Sequence, residues 1–197
     1  MENTSSGRVK TTEHLVNNDQ ELVEGCIAGN PKYQRILYEE FAGDLYFICK
    51  RYSHSDADAE DLLQDAFIKI FLNLKGFRFE SSLRHWMKRL ATNTIITNFR
   101  TKKKEGVKLD YEECEQGVLP VVEVQDVEIP MEVLMRMVRE LPPGYRMIFN
   151  MREIDGYELS EIAEELNMNP ATVRSQLFKA KAVLKKQIEN WLKSEKV

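Results

Sequence analysis

Residues 105–130 divide the chain into two parts and limit what each part can fold into. The segment carries eight acidic residues and one lysine, and it shows no helical period of apolar residues. It also contains Gly106, Gly117, Pro120 and Pro130. This composition is typical of a flexible acidic linker whose charges repel one another. The residues that can build a core therefore lie before and after it.

Both flanking parts place apolar residues at helical spacing, and the chain has nine glycines and six prolines among 197 residues. We therefore predict an all-α fold of two small helical domains joined by a flexible acidic linker, the C-terminal one a helix-turn-helix. The predicted boundaries are a disordered N-terminal tail over 1–20, a first domain over 21–104, the linker over 105–130 and a second domain over 131–197.

The charge of the chain is segregated. Its net charge of −4 argues against a general nucleic-acid binder. Two stretches nevertheless lack acidic residues: Arg84–Lys104 holds seven cations and Pro170–Gln187 holds five. Each stretch is either a place where an anionic polymer docks or a solvated helix face.

The scarcity and spacing of cysteine and histidine exclude several classes of protein. The three cysteines, Cys26, Cys49 and Cys114, form no C-x-x-C pair, and the three histidines are scattered. We therefore expect reduced thiols, no metal site, no cofactor and no enzymatic activity. The chain has no long apolar window, and its first twenty residues lack a secretory signal. These features predict a cytoplasmic protein without direct membrane insertion.

Four helices are predicted before the linker, over about 19–28, 31–53, 56–74 and 83–100. The third has a core stripe and an opposite side that mixes acidic, amide and aliphatic residues: Asp61, Gln64, Asp65, Ile68 and Leu72. Such a face suits docking on a basic partner helix, since aliphatics supply buried area and acids select the partner's charge. The alternative is a helix buried on both sides within its own domain.

The fourth helix follows a short loop, Phe77–Ser82, in which Ser82 is the expected N-cap. Its inward stripe is predicted from Leu83 to Thr94. The opposite side presents a set of residues without any acid: His85, Lys88, Arg89, Thr92, Asn93, Ile96 and Arg100. Cations hold phosphates, and amides and aromatic rings read or stack bases. Trp86 and Phe99 flank the stripe and are either core anchors or stacking platforms.

The C-terminal part shows the most specific pattern. A helix over 144–154 is followed by a turn at Asp155-Gly156, a short helix over 160–166 and a tight connection at 167–169, where asparagine can adopt positive φ. Pro170 then opens a long helix. Ala163 is small enough for the two helices to approach, and Val173 with Leu177 fills the angle between them. This is the helix-turn-helix pattern. The alternative is an ordinary helical hairpin with a solvated basic face.

These residues resemble those of the extracytoplasmic-function (ECF) subfamily of bacterial RNA polymerase sigma factors. The resemblance to region 4 is carried by Leu141-Pro142-x-x-Tyr145-Arg146-x-x-Phe149, Gly156, Glu161-Ile162-Ala163-Glu164-x-Leu166 and Thr172-Val173-Arg174-Ser175-x-Leu177-x-Lys179-Ala180-Lys181. Upstream, 58–67 looks like region 2.2, and Phe77–Ser82 with Trp86 and Leu90-Ala91-x-Asn93 looks like regions 2.3 and 2.4.

The resemblance implies a sigma factor that binds core RNA polymerase, recognises and melts the promoter −10 element, and reads the −35 element. The implied partners are core polymerase, through its β′ coiled coil and β flap, promoter DNA and an anti-sigma factor. Together with the helical faces above, it assigns Asp61, Gln64, Asp65, Ile68 and Leu72 to polymerase binding. The −10 set is Phe77, Arg78, Glu80, Ser81, Trp86, Lys88, Arg89, Asn93 and Arg100. The −35 set is Ala171, Thr172, Arg174, Ser175, Phe178, Lys179, Lys181 and Lys185.

Five positions depart from the family pattern, and Leu83 and His85 are two of them. Phe79 stands where a glycine is frequent, Thr92 where a basic residue is frequent, and Gln176 where arginine is common. Two other functions remain alternatives at this stage. A stand-alone helix-turn-helix regulator would bind its operator without polymerase, and a nucleic-acid enzyme would need a metal-binding carboxylate cluster or a nucleophile with its base.

Overall fold

The computed structural model describes residues 19–104 and 128–194, and the regular elements in these ranges are all helical. The predicted all-α fold is confirmed. The helices are α1 over residues 19–27, α2 (Pro31–Tyr52), α3 (Asp56–Asn73), α4 (Leu83–Lys104), α5 (Met131–Glu140), α6 (Pro143–Phe149), α7 (Leu159–Glu165) and α8 (Pro170–Ser194). Nearly all of the predicted linker lies outside the described residues. None of the described helices has both the length and the apolarity to cross a membrane.

The described residues form two compact units. Among the described residues, the first unit contains 19–49 and Glu60–Ile95, and the second contains Lys50–Ala59, 96–104 and 128–194. The core of the first unit is made by one stripe from each helix. Its fully buried large side chains come from α2, from α3 and the 3-10 turn Leu74–Gly76 that follows it, and from α4: Leu37, Leu45, Ile70, Leu74, Leu83, Met87 and Ile95.

The helix starts follow from local capping chemistry. Asn30 accepts the backbone N–H of Lys32 at 3.0 Å, which caps α2. At α3, Ser55 and Asp58 each accept the other's backbone N–H at 3.1 Å, a reciprocal capping box. Ser82 accepts the backbone N–H of His85 at 3.3 Å, so the predicted N-cap of α4 is confirmed.

The second unit contains the helix-turn-helix. Ala163 on α7 and Val173 and Leu177 on α8 are buried, as predicted. Asn167 adopts φ 49° in the connection, and Asn169 accepts the N–H of Ala171 at 2.8 Å to cap α8. The adjoining core cluster joins α5 and α6 to the middle of α8: Met137, Val138, Leu141, Tyr145, Ala180 and Leu184. The middle of α8 is therefore held in the core of this unit, and its first turns extend beyond that cluster.

A buried arginine ties this unit together. The Arg146 guanidinium donates to the backbone carbonyls of Tyr52, Arg139 and Leu141 at 3.0, 2.5 and 3.1 Å. Its burial lowers the pKa of Arg146 to about 10. Asn150, on the π-helical turn Asn150–Ile154, donates to the carbonyl of Arg51 at 2.9 Å. These bonds satisfy backbone carbonyls that the C-terminal ends of α2 and α5 leave without partners.

Candidate functional site

The outward face of α3 is exposed. The side chains of Ile68 and Leu72 are 50% and 71% accessible. Asp61, Gln64 and Asp65 are exposed on the same side. The core stripe from Leu63 to Leu74 is buried, as predicted. The alternative of a helix buried on both sides is therefore wrong, and this face is exposed to solvent.

An open groove lies beside this face, in the first unit. It has a volume of about 460 Å³, and it is lined by Tyr38 from α2 and by α3 residues: Glu60, Leu63, Gln64, Phe67, Ile68 and Phe71. Two of these, Gln64 and Ile68, were predicted from the sequence to form a docking face. Tyr38 was missed because it comes from another helix, where it is half exposed and packs on Phe67 with ring centroids 4.7 Å apart.

The loop before α4 is built around three aromatic rings that contact one another at tilted angles. The Phe77 ring lies 4.6 Å from that of Phe79 and 5.3 Å from that of Trp86, measured between centroids. Phe77 is buried, so its predicted role as a surface contact to DNA is wrong; it forms the floor of the loop. Trp86 is half-buried, whereas Arg78, Glu80 and Ser81 are exposed.

The outward face of α4 is narrower than predicted. His85, Arg89 and Asn93 are exposed, but Thr92 and Ile96 are buried, so their predicted exposure is wrong. The helix packs on more than one side because Ala91, Thr94 and Ile95 are buried as well. Because so much of the helix surface is buried, the exposed polar strip of α4 is narrow and includes His85, Arg89 and Asn93.

Several cations of α4 are already paired with carboxylates. Asp44 of α2 accepts from Arg84 and lies 3.1 Å from the Lys88 ammonium. Hydrogen bonds from Lys88 and then from Arg84 lower the pKa of the Asp44 carboxyl. Arg100 lies 3.9 Å from Glu165. In residues 19–104 and 128–194, Arg89 forms no ion pair, so it is the predicted α4 cation that is freest to bind an anion.

The first turns of α8 present the predicted −35 residues to solvent. Ala171, Thr172, Arg174 and Phe178 are exposed, and Ser175 and Lys179 are half-buried. Arg174 is exposed near the start of α8, and the middle of the same helix packs in the core cluster through Ala180 and Leu184. This is the geometry in which a helix can read base edges in the major groove.

Two lysines farther along α8 differ from the prediction. The Lys181 ammonium lies 2.8 Å from the Glu153 carboxylate. The Lys185 ammonium is shielded from solvent and has no hydrogen-bond partner in the described part of the chain. The Lys185 side chain is half-buried, so its expected exposure toward phosphate is wrong.

No group of three or more His, Cys, Asp or Glu side chains within the described ranges is placed to hold a metal ion. Cys26 and Cys49 are buried free thiols, and burial raises the pKa of Cys26 and raises that of Cys49 to about 12. Cys114 lies outside the described residues.

Comparison with known protein families identifies the family of this chain. The family model of sigma-70 region 2 matches residues 37–105, and the family model of sigma-70 region 4 matches residues 131–184. The two matches cover the loop, α3, α4 and the helix-turn-helix in the order that the sequence predicts. They therefore include every predicted surface except the end of α8.

Individual relatives agree with these matches. The chain is 29% identical to the ECF sigma factor SigW of Bacillus subtilis over 165 residues, 78% of this chain and 88% of SigW. It is 29% identical to the ECF sigma-E factor of Escherichia coli K12 over 182 residues, 87% of this chain and 94% of the relative. A solved structure of the sigma factor RpoE with the anti-sigma factor NepR from Bartonella quintana matches with a TM-score of 0.47 and 17% identity, over 79% of this chain and 96% of that one. The chain belongs to the ECF subfamily of bacterial sigma factors, which direct promoter-specific transcription initiation.

Proposed function

We propose that the chain joins core RNA polymerase through the outward face of α3, and promoter DNA through α4 and α8. The observation that carries the polymerase contact is the exposure of Ile68 and Leu72 among carboxylates on a helix whose other side is buried. Exposed aliphatics supply the area that a partner helix buries, and the acids favour a basic partner. The β′ coiled coil of polymerase is the proposed partner at this face.

A charge reversal tests the polymerase contact. Asp61→Lys is expected to weaken retention of core polymerase on the immobilised protein, because it places a like charge against the basic partner. Glu39→Lys is the matched control, since Glu39 is an exposed acid of α2 that pairs with Arg35 at 2.7 Å. Retention of core polymerase by Asp61→Lys at the level of Glu39→Lys would refute the α3 docking face.

We propose that the loop over 77–82 and the exposed strip of α4 engage and open the −10 element. The strip offers Arg89 to phosphate and Asn93 to a base edge, and the loop offers aromatic surface. Lys88 and Arg100 stay in the proposed −10 set as secondary contacts, because carboxylates already lie beside them.

We propose that α8 reads the −35 element through its first turns, with the C-terminal domain also touching the β flap. Arg174→Ala is expected to cost about 1–3 kcal/mol on the preferred −35 sequence and less on altered sequences, because a bidentate base contact is lost. Lys179→Ala is the control, since Lys179 belongs to the −35 set and, unlike Lys181, pairs with no carboxylate within residues 19–104 and 128–194. A lysine that holds phosphate weakens binding equally on all sequences. Equal loss with Arg174→Ala on every −35 sequence would demote Arg174 to phosphate binding.

Transcription in vitro tests the whole proposal. Core polymerase is supplied with a library of bacterial genomic fragments, with and without the protein. The expected result is a small set of new start sites that require the protein and share two elements upstream. Operator binding by the protein alone, with no new start site, would instead support a stand-alone regulator.

An anti-sigma factor is a further proposed partner. The groove beside the α3 face is apolar and open, so a regulator that fills it would cover part of the surface proposed for polymerase. Competition between such a factor and core polymerase for the immobilised protein would support this, and simultaneous binding of both would contradict it. The domain boundaries at 21–104 and 131–197 remain a prediction.

A further inference from the structure

A carboxylate of α2, Asp44, holds two cations that α4 presents beside its exposed strip. Asp44 accepts a hydrogen bond from the Arg84 guanidinium, and one of its oxygens lies 3.1 Å from the Lys88 ammonium. Glu40, one turn earlier on α2, lies 3.9 Å from the same guanidinium. Asp44 is therefore the shared anion of a small ion cluster, and Glu40 is its more distant member.

This cluster contributes little to the stability of the fold. The side chains of Asp44, Arg84 and Lys88 are 37%, 47% and 42% accessible, so water and salt screen their attraction. Exposed ion pairs of this kind add little to the free energy of unfolding. The two helices build their unit through buried apolar side chains instead, among them Leu45 and Met87. A partner anion can therefore separate these charges without unfolding the unit.

The two cations are placed to hold an anion. The Arg84 guanidinium lies over the Phe41 ring, 5.0 Å from its centroid, and this contact favours one position of the long side chain. Lys88 follows one turn later on α4, so both cations reach the same carboxylate. Cations that converge on a carboxylate also suit a phosphate, since both anions offer oxygens to N–H donors. The residues that follow each cation, His85 and Arg89, belong to the exposed strip.

We propose that Asp44 competes with DNA for Arg84 and Lys88, and that a backbone phosphate of the −10 element takes its place when α4 binds DNA. Asp44 then lowers the affinity of α4 for DNA, because the ion pairs break before the cations contact phosphate. This inference rests on the proposed function, since it needs DNA beside α4. It adds a second phosphate site, at Arg84 and Lys88, to the one that Arg89 offers.

The test measures the affinity of holoenzyme, assembled from core polymerase and the full chain, for promoter DNA at several salt concentrations. Asp44→Asn keeps the shape of the side chain and removes its charge. It is expected to raise the affinity by about two- to tenfold, because two exposed ion pairs no longer oppose binding. It is also expected to steepen the dependence of affinity on salt by about one phosphate contact, since the cluster gains one positive charge.

Glu39→Gln is the matched control. Glu39 is another exposed carboxylate of α2, and it pairs at 2.7 Å with Arg35 of the same helix rather than with a cation of α4. The control changes the net charge equally and also releases an arginine, so it is expected to change affinity and salt dependence less than Asp44→Asn. Replacing Arg84 and Lys88 together by alanine is expected to abolish the effect of Asp44→Asn. Thermal unfolding of each variant checks that the helices remain folded.

The outcomes distinguish this inference from the proposed function. Equal changes with Asp44→Asn and Glu39→Gln would show an effect of net charge alone and would refute the competition. Weaker binding with Asp44→Asn would show that the carboxylate orients the two cations for DNA, which overturns the inference as well. The proposed function fails separately: if Arg89→Ala leaves both affinity and salt dependence unchanged, α4 does not engage the −10 element.

Discussion

At the scale of single residues, Gly25 of α1 lies directly against the Tyr33 ring of α2. A Cβ built on Gly25 would lie 2.3 Å from Cγ and Cδ2 of the Tyr33 ring and 2.9 Å from its Cβ. These atoms lie near the root of the side chain, and the Tyr33 hydroxyl donates to Glu21 at 2.6 Å. The ring therefore has little freedom to move away.

Gly25→Ala is expected to destabilise the protein by about 1–3 kcal/mol, since overpacking forces the backbone or the ring to shift. Gly43→Ala is the matched control, because Gly43 lies inside α2 with no heavy atom within 4 Å of the added Cβ. That control is expected to stabilise by about 0.5–1 kcal/mol through helix propensity. Urea unfolding followed by circular dichroism measures both, and equal shifts for the two variants would contradict the packing argument.

The buried Cys49 thiol gives a dependence on pH. Its pKa is raised from 9.0 to about 12 by burial, so the folded protein holds this proton more strongly than the unfolded chain. The contribution to stability is complete below pH 9 and is lost as the pH rises from 9 to 12. We expect the free energy of unfolding to fall more steeply over this window in the wild type than in Cys49→Val. Parallel pH profiles of the wild type and Cys49→Val would contradict this prediction, since they would show that the thiol has the same pKa in the folded and unfolded states.

At the scale of helices, the sequence predicted which helices form. It predicted less reliably how wide a face each helix buries. Apolar spacing identified the inward stripes of α3 and α8, because a strong period fixes the direction of the core. It did not reveal that α4 also buries Thr92 and Ile96, since a period gives no measure of how many neighbours a helix has. The ion pairs of Arg84 and Lys88 with Asp44 join residues about forty positions apart, which local pattern cannot detect.

The same limit applies to the candidate surfaces. The acidic and aliphatic residues of α3 were found because they share one helix, whereas Tyr38 reaches the groove from α2. Phe79, whose φ is 58°, left a signal in the sequence, since it stands where a glycine is frequent and glycine is the residue that tolerates positive φ. The contact between the Phe79 and Phe77 rings required the structure.

The division of the α4 cations into free and paired residues predicts unequal contributions to DNA binding. Arg89→Ala is expected to weaken holoenzyme binding to promoter DNA and to reduce the salt dependence by about one phosphate contact. Arg84→Ala is expected to change binding less, because its guanidinium already pairs with Asp44 and Glu40. Affinities at several salt concentrations measure both slopes. A larger change in slope for Arg84→Ala would contradict the division.

At the scale of the whole molecule, two cationic surfaces sit on a chain whose net charge is −4, because residues 105–130 carry most of the excess acid. These acids should repel DNA or favour a basic channel in polymerase. Replacing the eight acids by neutral residues is expected to impair transcript initiation more than promoter affinity. Run-off transcription and promoter binding by the same holoenzyme measure the two effects. No change in either would contradict a role for this charge.

We predict that the length of the linker affects binding to core polymerase, because the proposed polymerase contacts lie on both sides of it. With one contact made, the second becomes intramolecular, and its effective concentration falls as roughly the −3/2 power of linker length. Doubling residues 105–130 with an equal length of glycine and serine is therefore expected to weaken binding to core polymerase by about threefold. In the Asp61→Lys background the same insertion is expected to change little, because a single remaining contact does not depend on the linker. Titration of labelled protein with core polymerase measures all four combinations, and an equal loss in both backgrounds would mean that residues 105–130 contribute through direct contacts rather than as a tether.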